Sequence, residues 1–136
     1  MKFNFKPIKG KGLEIIEAIM NCKETPEDTS LRFKIRLCSE EIVQNIINYA
    51  YGEDEEDWME VCIDRKGDFL FLGFRDEGRA FNPLLKSDPD LSVPDSEREI
   101  GNLGIFLCKE ICDDITYANT DGCNCLNLKI RISGQA

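Results

Sequence analysis

The segment from Thr25 to Tyr51 constrains the fold more than any other, because it reads as one long helix carrying two separate stripes. Leu31, Ile35, Cys38, Ile42 and Ile46 recur at three- and four-residue spacing, so they share an apolar face that something must cover. Thr25 suits an N-cap, Pro26 the first turn, and Glu27 and Asp28 the positive end of the helix dipole. Gly52 follows, where a helix often closes on a left-handed residue. On the second stripe Glu41 and Asn45 stand four residues apart, one turn above the other, extended by Leu37 and Asn48. A carboxylate beside a carboxamide has two explanations. It is a solvated helix edge, or it faces a ligand, since buried polar groups cost free energy unless a partner satisfies them. A hydrated Mg²⁺ with a polyphosphate would satisfy both, because hard cations take oxygen ligands and keep several waters.

A chain of 136 residues, 42% hydrophobic and 32% charged, fits a single domain over residues 1–136 with one core. The net charge of −9 argues against direct nucleic-acid binding and against an anionic membrane surface, both of which want clustered Lys and Arg. The opening Met-Lys-Phe-Asn-Phe-Lys has no apolar leader and no stretch is long enough to span a bilayer, so a soluble, cytoplasmic protein is expected. Seven cysteines without a secretory signal do not suggest a disulfide framework. Cys38, Cys108 and Cys112 fall in helical patterns and Cys62 in a strand pattern, where a thiol acts as a small hydrophobe. The absence of histidine disfavours a zinc–thiolate site and removes His-dependent nucleophilic catalysis.

Strand patterns surround the helix. Residues 2–6 alternate as a short edge strand, and a first helix is expected from Leu13 to about Cys22. Trp58 to Asp64 alternates with Met59, Val61 and Ile63 on one face, turns at Arg65–Asp68, and returns as Phe69 to Arg75, a strand dense enough in apolar residues to be central. Ile115 to Asn119 and Leu126 to Ile132 complete the set, joined by a turn at Asp121–Gly122. The acidic run Glu53–Asp57 reads as a solvated loop.

Two further stretches carry chemistry. Asp76-Glu77-Gly78-Arg79-Ala80-Phe81-Asn82-Pro83 ends the central strand. It is either a simple turn or the floor of an apolar pocket, where Asp76 accepts a hydrogen bond from an adenine amine and Gly78 lets the backbone approach the base. Residues 84–100 have no clean period, and so long a loop in a small domain is either functional, as a lid over a site, or disordered. They lead into Gly101-Asn102-Leu103-Gly104, which opens an apolar helix whose free N–H groups suit a phosphate.

In order, Glu41-x-x-x-Asn45, Asp76-x-Gly78-x-x-Phe81-Asn82-Pro83 and Gly101-x-x-Gly104-Ile-Phe-Leu resemble the three boxes of the Bergerat-fold (GHKL-type) ATPase superfamily. Within it the short chain, compact lid and Phe-Asn-Pro are most similar to bacterial anti-sigma-factor serine/threonine-protein kinases, and the similarity spans essentially the whole chain. The resemblance implies an α+β two-layer sandwich, with a mixed, mostly antiparallel sheet and helices on one face. It implies ATP or ADP with Mg²⁺ as cofactors. By matching position, Asn45 would be the Mg²⁺ ligand and Glu41 the general base. Asp76, with Gly78 and Phe81 beside it, would hold adenine. Gly101, Asn102, Leu103, Gly104 and Ile105 would hold the phosphates, with Arg98 as the nearest basic residue ahead of them. This sequence departs from the family where Cys123–Asn124–Cys125 replaces a Gly-Thr-like step, where Arg98 stands offset, and where Glu77 and Arg79 replace small residues.

Two functions fit. One is a serine kinase that phosphorylates an anti-sigma-factor antagonist protein and sequesters a sigma factor. The other is a non-catalytic, ATP-dependent binding regulator of the same fold. Retention of Glu41 favours the first; the offset Arg98 and the altered last box favour the second. The alternating first strand and the habit of the resembled family both point to a homodimer.

Overall fold

The structure, a computed structural model, describes residues 1–85 and 102–133. Strand β1 (Lys2–Phe5) is followed by helices α1 (Gly12–Met20) and α2 (Thr29–Tyr49) and by the hairpin β2 (Met59–Lys66) and β3 (Phe69–Asp76). After a 3-10 turn at Pro83–Leu85 come helix α3 (Asn102–Ile111) and a second hairpin, β4 (Asp114–Thr120) and β5 (Cys123–Arg131). Of the lid stretch expected at 84–100, only residues 84 and 85 lie within the described residues.

The strands form one sheet in the order β1-β2-β3-β5-β4, which puts β3 at its centre. The fold is the expected α+β sandwich, but the sheet is antiparallel at every described pairing rather than mixed. The connection explains this. The chain crosses from β3 through α3 to β4, then returns as β5 between the two. Strand β4 therefore runs in the direction of β3 but pairs with β5 instead, and among the described residues no parallel ladder forms.

Period-two alternation sorts the side chains. Across the inward face Val61 stands opposite Phe74, Phe74 opposite Leu126, and Leu126 opposite Tyr117. The next row pairs Ile63, Leu72 and Leu128. These residues, all buried except the half-buried Tyr117, meet Ile15, Ile19, Ile35 and Ile42 from α1 and α2 in one core. The other sheet face carries half-buried Phe69 and Phe71 beneath cations. The Lys129 ammonium lies 4.3 Å and the Arg131 guanidinium 4.6 Å from the Phe69 ring centre.

Helix α2 begins later than its sequence suggests. Asp28, not Thr25, is the N-cap, and its Oδ1 accepts from the Leu31 N–H at 3.0 Å. The Thr25 hydroxyl is engaged elsewhere, donating to the Ile19 carbonyl at 2.6 Å and tying down the end of α1. The other end also differs. Ala50 closes α2 in a right-handed conformation, and Gly52 lies outside the left-handed region. The Gly52 N–H donates instead to the Glu55 carboxylate at 2.7 Å. The Gly67 and Asp121–Gly122 turns are left-handed, as their sequences require.

Loss of the Asp28 cap leaves an orphan donor at the head of α2. Asp28→Ala is therefore expected to cost about 0.5–2 kcal/mol in urea unfolding with no change in the slope. Thr25→Ala acting as a helix-cap deletion, with Asp28→Ala silent, would contradict the assignment.

Candidate functional site

The inward-facing alternation of β3 runs Leu70, Leu72, Phe74 and then Asp76, so the sheet delivers a carboxylate to the edge of the core. Asp76 is 4% exposed, and its ladder partner Asn124 is 6% exposed. Burying both polar groups is tolerable because they satisfy each other. Asn124 Nδ2 donates to Asp76 Oδ1 at 3.0 Å, and the Gly78 N–H donates to the same oxygen at 2.8 Å. Both bonds fall on Oδ1, so Oδ2 has no partner among the described residues.

Asn124 does more than pair with Asp76. Its Nδ2 also donates to the Arg79 carbonyl at 2.9 Å, and its Oδ1 accepts from the Phe81 N–H at 3.3 Å and from the Tyr117 hydroxyl. One side chain thus fastens the 78–81 turn to both strands of the second hairpin. Tyr51 holds the same turn from the other side, accepting from the Glu77 N–H at 2.8 Å and donating to the Trp58 carbonyl at 2.8 Å. The reason for glycine at 78 is also intramolecular. A Cβ there would lie 2.3 Å from the Ala50 carbonyl oxygen and 2.6 Å from the Ala50 Cβ, so the turn abuts the end of α2.

Above the Asp76–Asn124 floor lies a cleft of about 480 Å³, open to solvent. Ile42 and Ile46 of α2, Ile105 of α3, and Phe74 and Leu126 of the sheet form apolar walls. Asn45, Phe81 and Tyr117 add polar and aromatic groups to its lining. An apolar slot with a few convergent polar groups is the usual form of a small-molecule site.

Glu41 sits one turn before Asn45 on α2, and Asn45 Nδ2 donates to Glu41 Oε1 at 3.4 Å. Glu41 does not line the main cleft. With Leu37, Gln44 and Gly104 it lines a more open depression, on the α3 side. The structure therefore brings Asn45, Asp76, Phe81 and Ile105 to one cleft and Glu41 and Gly104 together beside it, with Gly78 behind the floor. Leu103 is exposed in the first turn of α3. Asn102 is the first residue of that helix, while Arg98 and Gly101 lie outside the described residues.

Asn124 and Tyr117 are absent from the sequence-derived set. A clue existed for Asn124: it shares the parity of Leu126, Leu128 and Ile130, so a polar side chain had to face the core.

A profile of the histidine kinase-like ATPase domain matches residues 11–130. The chain belongs to that family. As a histidine kinase-like ATPase domain it is an ATP-binding domain of kinase type. Among curated proteins it is similar to the serine/threonine-protein kinase BtrW of Bordetella bronchiseptica, with 26% identity over 98 residues, covering 72% of this chain and 69% of that protein. Two solved structures share its fold. One is the histidine kinase domain of the Erythrobacter litoralis EL346 blue-light activated histidine kinase, with a TM-score of 0.55 at 14% identity; 93% of this chain covers 61% of that one. The other is the Acinetobacter baumannii histidine kinase AdeS, with a TM-score of 0.54 at 17% identity, 98% of this chain covering 68% of that one.

Burial raises the Asp76 carboxyl above the usual carboxylate range, and the Asn124 amide and Gly78 N–H partly offset this. Removing the amide raises it further. A carboxyl held above its unfolded value, about 3.9, favours the folded state while protonated and loses that contribution as pH rises through the folded value. Asn124→Ala is therefore expected to cost about 1–3 kcal/mol at neutral pH, the cost of an unpaired buried polar group. The deficit should shrink towards about pH 4. Urea unfolding at a series of pH values checks this, and a pH-independent deficit would contradict it.

Proposed function

We propose that this protein is a serine/threonine kinase that binds ATP with Mg²⁺ and phosphorylates a protein partner. The carrying observation is the Glu41–Asn45 pair, one helical turn apart on α2, beside a cleft whose floor holds a buried carboxylate. The similarity to a protein named as a serine/threonine-protein kinase supports the same reading.

Asp76 Oδ2, without a partner among the described residues, is the acceptor for the adenine amine, and the apolar walls take the faces of the base. The residues present suit Mg²⁺, since Asn45 and Glu41 offer hard oxygens that leave room for water and phosphate ligands. Among the described residues no group of three or more acidic, Cys or His side chains could hold an ion, which suits a metal carried largely by the nucleotide. When bound, Mg²⁺ supplies charge neutralisation at the phosphates. Phosphoryl transfer asks little covalent chemistry of a protein, so positioning and one proton acceptor suffice. Glu41 accepts the proton of the attacking hydroxyl, Asn45 orients the metal-bearing end of the nucleotide, and the first-turn N–H groups of α3, at Asn102 and Leu103, face the phosphates, with Gly101 assigned to the same end by its motif alone. Arg98 is the basic residue assigned to the same end.

The partner class follows the resemblance of the three boxes: an anti-sigma-factor antagonist as phosphate acceptor, a sigma factor as the protein held, and a cytoplasmic setting. Among the described residues no helix is long and apolar enough to cross a membrane. The free edge of β1, with Phe3 and Phe5 facing inward, is the proposed site of homodimer pairing. A monomer mass at micromolar concentration would remove that part.

Asp76→Asn keeps both Oδ1 bonds yet removes the carboxylate, so ATP affinity is expected to fall by about 1.5–3 kcal/mol in calorimetry, the range for bonds to charged groups. Glu41→Gln should cut phosphate transfer by about 10²–10⁴-fold with ATP affinity little changed. Asn45→Ala should lose Mg²⁺-dependent binding together with turnover. Absence of ATP binding by the unmutated protein would overturn the proposal. Binding of ATP and of a sigma factor without transfer to any antagonist would make the protein a non-catalytic ATP-dependent regulator.

A further inference from the structure

Gly104 lies in the first turn of α3 and has no left-handed backbone to accommodate. Inside a helix glycine is less favourable than alanine, so its presence needs another reason. A Cβ built on Gly104 would fall 2.1 Å from Cδ, 2.3 Å from Oε2 and 2.4 Å from Oε1 of Glu41. All three nearest atoms belong to one carboxylate. The contrast with α1 is direct: a Cβ on Gly12 would meet Ile47 Cδ1 at an ordinary 3.6 Å. Only the bare Cα of residue 104 leaves space for the Glu41 head group.

The rest of the seam keeps the helices at this separation. Cys108 and Cys112 follow Gly104 at four-residue intervals, and both are buried in the same core cluster as Cys38 of α2. The carboxylate is also held along its own helix by the Asn45 amide at 3.4 Å, and it lies against the first turn of α3, where peptide dipoles favour an anion.

We infer that Gly104 is a positioning residue for Glu41, its missing side chain forming the seat that aims the carboxylate at the phosphate end of the site. This rests on the reading of Glu41 as the proton acceptor. The head group of Glu41 ends a flexible side chain, so a methyl at 104 displaces the carboxylate and leaves the fold intact. The Gly104 N–H survives the substitution, and nucleotide binding survives with it.

The test combines ATP calorimetry with release of labelled phosphate from ATP, in Gly104→Ala, Glu41→Gln, the double variant Glu41→Gln/Gly104→Ala, and Glu41→Asp/Gly104→Ala. Gly104→Ala should lower turnover about 10²-fold, comparable with loss of the base, while ATP affinity stays within about threefold. The double variant with Gln should turn over no more slowly than Glu41→Gln alone. Aspartate, one methylene shorter, withdraws the head group from the new methyl, so Glu41→Asp/Gly104→Ala should recover about tenfold over Gly104→Ala. Losses that multiply in the double variant, or affinity that falls in step with turnover, would overturn the inference. If the unmutated protein binds or turns over no ATP, the functional reading fails. The crystal structure of Gly104→Ala then decides the seat alone: a displaced Glu41 carboxylate supports it, and an unmoved one overturns it.

Discussion

Asp76 and Asn124 face each other across the β3–β5 ladder with almost no contact with solvent, and the cleft exists because that pairing is satisfied. The Asn124 amide and the Gly78 N–H occupy one carboxylate oxygen. The remaining polar atoms of Asn124 fasten the turn that carries Phe81 and receive the Tyr117 hydroxyl. A buried carboxylate with one oxygen fully engaged is stiff, and its second oxygen is aimed by the first. Specific recognition from a shallow apolar slot requires that stiffness, because the walls alone offer shape but no direction.

Local pattern was enough for the parts of this fold whose causes are local. The β2–β3 hairpin announces itself through alternation and a left-handed turn at Gly67. The two stripes of α2 can be read from spacing alone, and so can the central place of β3. What could not be read depends on neighbours distant in sequence. Thr25 and Asp28 are both good caps, and only the Ile19 carbonyl, reached after the chain folds back, decides between them. The all-antiparallel sheet follows from β5 inserting between β3 and β4, a choice no single strand encodes. Asn124 was legible only as part of an altered motif and not as a partner of Asp76, because that partner lies 48 residues away, although its parity within β5 was visible.

The glycines of the two motifs were legible as glycines but not as contacts. A sequence reading assigns such residues to a ligand, for backbone freedom or close approach. Here the nearest obstruction to a side chain at 78 is Ala50 and at 104 is Glu41, both on or at the end of α2. One helix therefore crowds two elements that bracket the cleft, excluding a side chain at 78 with its C-terminal carbonyl and occupying the space beside 104 with a movable carboxylate. The polar stripe and the apolar face of α2 are not independent features, since the packing of the latter fixes where the former points.

That double contact turns α2 into a ruler. The turn that follows Asp76 butts against Ala50 at Gly78, Asn45 lies five residues back along the helix, and Glu41 nine. At 1.5 Å per residue these marks fall at about 7.5 and 13.5 Å from the end of the helix. A molecule anchored at the carboxylate floor reaches each mark only if it is long enough. The polar stripe of α2 thus holds its two side chains at fixed, unequal distances from the floor, and the packing that fixes those distances is the same packing that crowds residue 78.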